Sequence, residues 1–295
     1  MRILFITSNR IGDAVLSTGL LDHLLRTYPA ARFTVACGAV SEGVFTRMPR
    51  LERLIAFDKR PRGMHWPPLW RATVGTWWDL VVDIRASAIS WVLPTRRRAV
   101  MRKRPGHKIA QLAAVLGISP PPLPVTWTGE EDRARAAALL PEGAPVIAIG
   151  PTANWTGKLW PAERFVELAR ALAERDMPGA RIAVFAGPGA QEAALAAPVL
   201  AALPRAIDLT GQLSLPEAAA CLARCAIFIG NDSGLMHLAA AAGCATLGLF
   251  GAANASVAEY SPAGRRTGVA VTDGGGMAGI SVAAARAAAL RLLAA

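Results

Sequence analysis

A chain of 295 residues that is 53% hydrophobic and 18% charged has the make-up of a globular protein and excludes a disordered one. Its length passes the point where single cores stop growing, so two domains are expected. The formal net charge of +11 favours polyanionic partners (nucleic acid, anionic lipid headgroups or phosphorylated substrates), and a GC-rich genome would produce the same arginine excess.

Residues 2–7 form a short apolar run that reads as a buried strand, and it meets Ser8-Asn9-Arg10 at once, too soon for a signal-peptide core. A helix is expected over 13–28, ending before Pro29, then a strand over 32–37 and a short helix reaching about Arg47. Strands follow at 54–57 and 80–84; the Pro- and Trp-rich stretch 66–78 between them fits no element by its pattern. Pro120-Pro121-Pro122-Leu123-Pro124 cannot sit inside a helix or a central strand, and is read as the start of an inter-domain connection. This divides the chain into 1–125 and 126–295. In the second half, helices are expected over 130–140, 162–175, 191–203, 215–223 and 233–242, with strands at 146–150, 182–185, 227–230 and 246–250. A last amphipathic helix over 281–293 is free to pack back on the first domain. The alternation of strand and helix predicts two α/β domains with parallel sheets, facing each other across a central cleft, with ligands at the carboxyl ends of the strands.

Four segments carry candidate chemistry. Asn9-Arg10-Ile11-Gly12-Asp13 follows the first strand. Gly12 lets a ligand approach the backbone, and Asp13 at the helix start is either a partner of the helix dipole or a general base. Gly150-Pro151-Thr152-Ala153-Asn154-Trp155-Thr156-Gly157-Lys158-Leu159-Trp160-Pro161 is a βα loop whose hydroxyls, amide and lone lysine suit phosphate oxygens, though it lacks the Walker A spacing. In Gly230-Asn231-Asp232-Ser233-Gly234-Leu235-Met236-His237, Asp232 or Ser233 can cap the helix while the amides of Gly234, Leu235 and Met236 point at an anion; a capped helix with a core histidine is the alternative. The basic run from Arg96 to Lys108, with Arg97, Arg98 and Arg102, is either a solvated face or a surface reading phosphate or carboxylate. It carries no signature of a nucleic-acid module, and no nucleic-acid partner is expected.

Cys37, Cys221, Cys225 and Cys244 form no Cys-x-x-Cys pair and read as small buried residues of a reduced compartment. No His-x-x-x-His pair, Asp-x-Asp or Gly-x-Ser-x-Gly occurs, so neither a metal site nor a serine nucleophile is expected. No stretch reaches the roughly 18 to 20 apolar residues of a membrane helix, so a cytoplasmic protein with at most peripheral contact with the inner membrane is expected.

Together, Arg10-Ile11-Gly12-Asp13, Lys158-Leu159-Trp160-Pro161 and Asn231-Asp232-Ser233-Gly234-Leu235-Met236-His237 resemble, in order and spacing, the bacterial heptosyltransferases, the family nine glycosyltransferases of lipopolysaccharide core assembly. The resemblance implies a GT-B fold and an inverting, metal-independent transfer from a nucleotide sugar, usually ADP-heptose, to an anionic glycolipid or lipopolysaccharide-core acceptor, with no cofactor. It implies that Asp13 is the base and Lys158 the donor-phosphate lysine. Thr152, Asn154, Asp232, Ser233, Gly234, Leu235, Met236 and His237 would complete the donor site, with Glu192 near the ribose and Leu213 near the base. Arg10, Gly12, Arg97, Arg98 and Arg102 fall to the acceptor. The compact stretch 260–279, without the cysteine pair of many members, departs from the pattern, as does the Trp-rich segment. The rival readings are a transferase or epimerase using a different nucleotide sugar, and a non-catalytic protein that binds nucleotide or anionic lipid.

Overall fold

A computed structural model describes residues 1–57, 64–251, 257–272 and 274–294 of the chain, which divides into two compact units, Met1–Trp127 and Thr128–Ala295.

The first unit opens with β1 (Arg2–Ile6), α1 (Ile11–Thr27), β2 (Arg32–Cys37), β3 (Leu51–Ala56), α2 (Trp66–Thr73), β4 (Leu80–Asp83) and β5 (Arg98–Val100), and continues with α3 (Lys108–Ala113). Its five strands pair in parallel in the order β3-β2-β1-β4-β5. Both faces of such a sheet are covered by its crossovers, so the central strands are continuous apolar runs: Ile3, Leu4, Phe5 and Ile6 are fully buried. The Pro- and Trp-rich stretch is a helix because Pro67 falls in its first turn, where the missing N–H costs nothing. Its Leu69 joins Trp78, Ile89 and Leu93 in a core against Leu4, Ile6 and Val81. The proline run belongs to this unit. Thr18 Oγ1 donates to Val125 O at 2.7 Å and accepts from Val125 N at 2.9 Å. A Cβ on Gly19 would stand 2.6 Å from the carbonyl oxygens of Pro122 and Leu123, so only glycine lets the run lie against α1.

The second unit contains α4 (Glu130–Leu139), β6 (Val146–Gly150), α5 (Ala162–Ala171), β7 (Arg181–Val184), α6 (Ala190–Ala202), β8 (Ile207–Asp208), α7 (Leu215–Ala223), β9 (Ile227–Asn231), α8 (Gly234–Ala241), β10 (Ala245–Phe250), α9 (Val257–Tyr260), β11 (Thr267–Val271) and α10 (Val282–Ala294). Its parallel sheet runs β11-β10-β9-β6-β7-β8. The final helix α10 packs on α5, β10 and β11 of this unit. Its Ala285, Ala288, Ala289 and Leu292 face a core that also holds Trp160, Phe165 and Leu168.

In both units the first strand lies between the second and the fourth, so the chain winds outward in opposite directions from the β1/β4 and β6/β9 pairs. This is the doubly wound order, and the gap between the two outgoing loops at each reversal is where such sheets bind ligands.

All four cysteines are buried free thiols. Burial pushes Cys37 and Cys244 up to about 12 and Cys221 to about 11, and holds Cys225 well above its ordinary value. The native protein should therefore resist a thiol reagent at pH 8 and expose four groups in denaturant; rapid labelling of the native form would contradict this burial. The sign of the linkage is fixed too. Above pH 9 the unfolded thiols lose protons that the folded ones keep, so stability should fall by about 1.4 kcal/mol per pH unit for each thiol so held.

Candidate active site

In the first unit the loop leaving β1 carries Asn9 and Arg10 into α1, with Arg10 at the N-cap and Asp13 in the first turn. The loop is held from β2's far end: Gly38 N donates to Ser8 O at 3.2 Å and Ser41 Oγ to the same oxygen at 2.9 Å. A Cβ on Gly38 would lie 2.5 Å from Asn9 Cα, so glycine allows the two loops to touch. Asp13 Oδ2 accepts a long bond, 3.4 Å, from Ser8 Oγ. Its Oδ1 is shielded from solvent and has no hydrogen-bond partner among the described residues. A carboxylate with one oxygen uncommitted, at a sheet's switch point, is placed to accept a proton.

The basic run flanks and includes β5. Arg98 turns onto its own unit, donating to the carbonyls of Ser90 at 2.6 Å and Leu93 at 2.9 Å, with its guanidinium 5.9 Å from the Trp91 ring centre. These bonds make Arg98 a brace of the β4–β5 connection. Exposed Arg97 precedes β5 and exposed Arg102 follows it.

The second unit gathers its candidates better. Leu213 lies in the loop after β8, Glu192 in the first turn after β7, Thr152, Asn154 and Lys158 in the loop after β6, and Asp232 to His237 after β9. Those four strands are consecutive neighbours in the sheet, so the residues form one row along its carboxyl edge. Glu192 Oε2 accepts from Gly187 N at 3.0 Å, fixing the carboxylate at the β7 loop.

At the β6/β9 switch the strands end on the paired glycines Gly150 and Gly230. A Cβ on either would meet the Phe228 ring within 2.7 Å. Beyond them, Lys158 Nζ lies 2.5 Å from Asp232 Oδ2, with the lysine side chain 25% and the aspartate 7% exposed. The pair ties the β6–α5 loop to the β9–α8 turn. Asn231, fully buried, joins the same two segments: its Oδ1 accepts from Trp160 N at 3.0 Å and its Nδ2 donates to Pro151 O at 2.8 Å. Trp160 is a core residue, donating through Nε1 to Ile280 O at 3.0 Å and meeting Phe165 edge-on. Replacing Asn231 by alanine strands a buried N–H and a buried C=O, so a loss of roughly 2 to 4 kcal/mol is expected in denaturant unfolding; a change under 0.5 kcal/mol would show that the staple is dispensable.

Ser233 is the N-cap of α8, yet its hydroxyl makes no capping bond, and Asp232 is turned toward Lys158. The first-turn amides of a helix have no intrahelical acceptor, and here no Ser233 oxygen covers them. Met236 is fully buried, with its Sδ against Gly248, and His237 is nearly so; the site can use only the backbone of Met236. Thr152 is buried and Asn154 exposed. Among the described residues, no three His, Cys, Asp or Glu side chains cluster as metal ligands, and no helix is long and apolar enough to cross a membrane.

Comparisons with known proteins agree with this architecture. A family model described as glycosyltransferase family 9 (heptosyltransferase) matches residues 95–273. Lipopolysaccharide heptosyltransferase 2 of Escherichia coli is 26% identical over 300 aligned positions, covering 85% of this chain and 83% of the relative. The crystal structure of the family 9 glycosyl transferase from Veillonella parvula superposes with a TM-score of 0.83 at 22% identity, over 99% of this chain and 97% of that one. The structure of E. coli ADP-heptose lps heptosyltransferase II gives 0.78 at 22% identity, over 100% and 99%. The fold is thus two Rossmann-like α/β units, as the alternation of strands and helices predicts, of the GT-B type that the resemblance implies.

Proposed function

The chain belongs to glycosyltransferase family 9, the heptosyltransferases, and from that premise we propose that it moves a heptose from ADP-heptose to a sugar hydroxyl of an anionic, lipopolysaccharide-core type acceptor by one inverting displacement. The donor is taken from the ADP-heptose enzyme among its structural relatives, and the acceptor from the lipopolysaccharide enzyme among its sequence relatives. The observation that carries the reading is the row of loops along β8-β7-β6-β9, with Lys158 and the start of α8, where Ser233 makes no side-chain capping bond, at its switch point.

The proposed chemistry assigns the acceptor to the first unit and the donor to the second. Asp13 takes the proton as the acceptor oxygen attacks the anomeric carbon. The bond from that carbon to the β-phosphate oxygen breaks, and ADP leaves. Its charge is met by Lys158 and by the amides of Gly234, Leu235 and Met236, donors already fixed in place before charge develops. Glu192, after the second strand of its sheet, stands where Rossmann-type sites hold the ribose hydroxyls. Contact with the inner-membrane surface, through basic residues such as Arg102, belongs to the same proposal.

Thermal-shift screening with ADP, UDP, GDP and CDP tests it. ADP at about 100 times its Kd should add about 2.7 kcal/mol and raise the Tm by several degrees, with the other nucleotides weaker. A preference for UDP would instead favour a different nucleotide sugar, and no response to any nucleotide would favour a non-catalytic protein.

A further inference from the structure

Arg85 stands two residues past the end of β4, at the same switch point as Asp13, and nothing in the proposed displacement uses it. The turn that carries it is tied down. Asp83 accepts from Arg85 N at 2.8 Å through Oδ1, and from Ser87 N at 2.9 Å and Ser87 Oγ at 2.5 Å through Oδ2. Ala86 is thereby held at a φ of 54°, a left-handed conformation that is strained for a residue with a Cβ. The guanidinium lies on an aromatic shelf, 5.4 Å from the Phe57 ring centre and 5.3 Å from that of Trp66. His65 completes the shelf, stacked on Phe57 and 4.4 Å from Trp66. One N–H of Arg85 donates to Asn9 Oδ1, on the loop that carries Asp13.

This is an unusual setting for a structural arginine. A half-buried guanidinium is ordinarily compensated by a carboxylate in a bidentate pair. Here no side-chain carboxylate bonds it among the described residues: Asp83 is occupied by two backbone amides and a hydroxyl, and the guanidinium meets a neutral amide instead. Burial works against its charge, and Asp83 only partly offsets that. A guanidinium has five N–H donors in a rigid fork, and the rest of this fork is left for an oxyanion.

Building on the acceptor role proposed for the first unit, we propose that Arg85, on its Phe57–Trp66 shelf and steered by Asn9, binds an oxyanionic substituent of the acceptor sugar, a carboxylate or a phosphate monoester, and so sets which hydroxyl reaches Asp13. The aromatic faces favour the flat charged group electrostatically and keep water from competing for it. Asn9 links this contact to the catalytic loop, so anion binding and presentation of the hydroxyl to Asp13 share one support.

The test uses the full chain as wild type, Arg85→Gln and Arg85→Lys. Tryptophan fluorescence is titrated with inorganic phosphate and, separately, with acetate, both with and without saturating ADP. A saturable signal in the wild type that is lost in R85Q and weakened in R85K supports the site, and the stronger of the two anions identifies the substituent. Superimposable titrations in wild type and R85Q overturn it. Because phosphate and acetate report on Arg85 directly, a protein that fails to bind ADP would refute the donor assignment without deciding this one. In turnover, R85Q should raise the acceptor KM by about 10- to 100-fold with donor Kd unchanged, and this penalty should vanish on an acceptor lacking the anionic group. An equal loss on charged and uncharged acceptors would mean that the residue serves only the fold.

Discussion

Replacing Asp13 by alanine is expected to lower kcat by about 10²- to 10⁴-fold, the range a positioned general base supplies, while leaving the protein folded. Two facts make the activity effect large and the stability effect small. The carboxylate's Oδ1 has no partner among the described residues and its Oδ2 has only a 3.4 Å contact with Ser8, so few interactions are lost. What does go is a favourable charge in the first turn of α1, worth about 0.3 to 1 kcal/mol. Asp13→Asn should behave alike, because an amide of the same shape cannot take the proton. A variant that keeps more than a tenth of wild-type kcat, measured with saturating donor and acceptor, would remove Asp13 from the chemistry.

The second large effect is at Lys158. Lys158→Ala is expected to lower kcat/KM for the donor by about 10²- to 10³-fold, the scale of losing one charge-stabilising donor in a preformed site. Its physical origin is double. The cation that would meet the departing diphosphate is gone, and the Asp232 carboxylate, 7% exposed, loses its ion-pair partner. The second contribution can be separated: adding Asp232→Asn removes the like-charge repulsion, so the double variant should bind ADP more tightly than Lys158→Ala alone. If the double variant binds more weakly than either single one, Asp232 contacts the donor in its own right.

The sheet was legible because buried parallel strands are written as unbroken apolar runs, as in residues 2–7 and 246–250. Short strands carry too few residues to show such a run. Ile207–Asp208 was therefore unseen, as was Arg98–Val100, which hides inside a run of arginines. Trp66–Thr73 was obscured because its prolines signal a break, when in a first turn they start a helix. At the site, loop positions could be read from the strand ends they follow. Pairings could not. Lys158 and Asp232 are 74 residues apart, and Asn231 reaches Pro151 and Trp160 across 80 and 71, so the sequence shows the partners and not the bonds. In the basic run, too, local density of charge does not show the bonds that Arg98 makes to the carbonyls of Ser90 and Leu93. Arg85, a lone cation with no patterned neighbours, shows nothing in sequence, and its setting is made by Asn9, Phe57 and Trp66 brought from three other segments.

The proposed division of labour, with an acceptor unit that takes the proton and a donor unit that holds the diphosphate, is tested most directly by calorimetric titration of ADP-heptose into wild type, Asp13→Asn and Lys158→Ala. The expected result is a donor Kd within about twofold of wild type for Asp13→Asn and weakened at least tenfold for Lys158→Ala, in line with about 1.4 kcal/mol per decade. Donor binding that collapses with Asp13 and survives loss of Lys158 would contradict it.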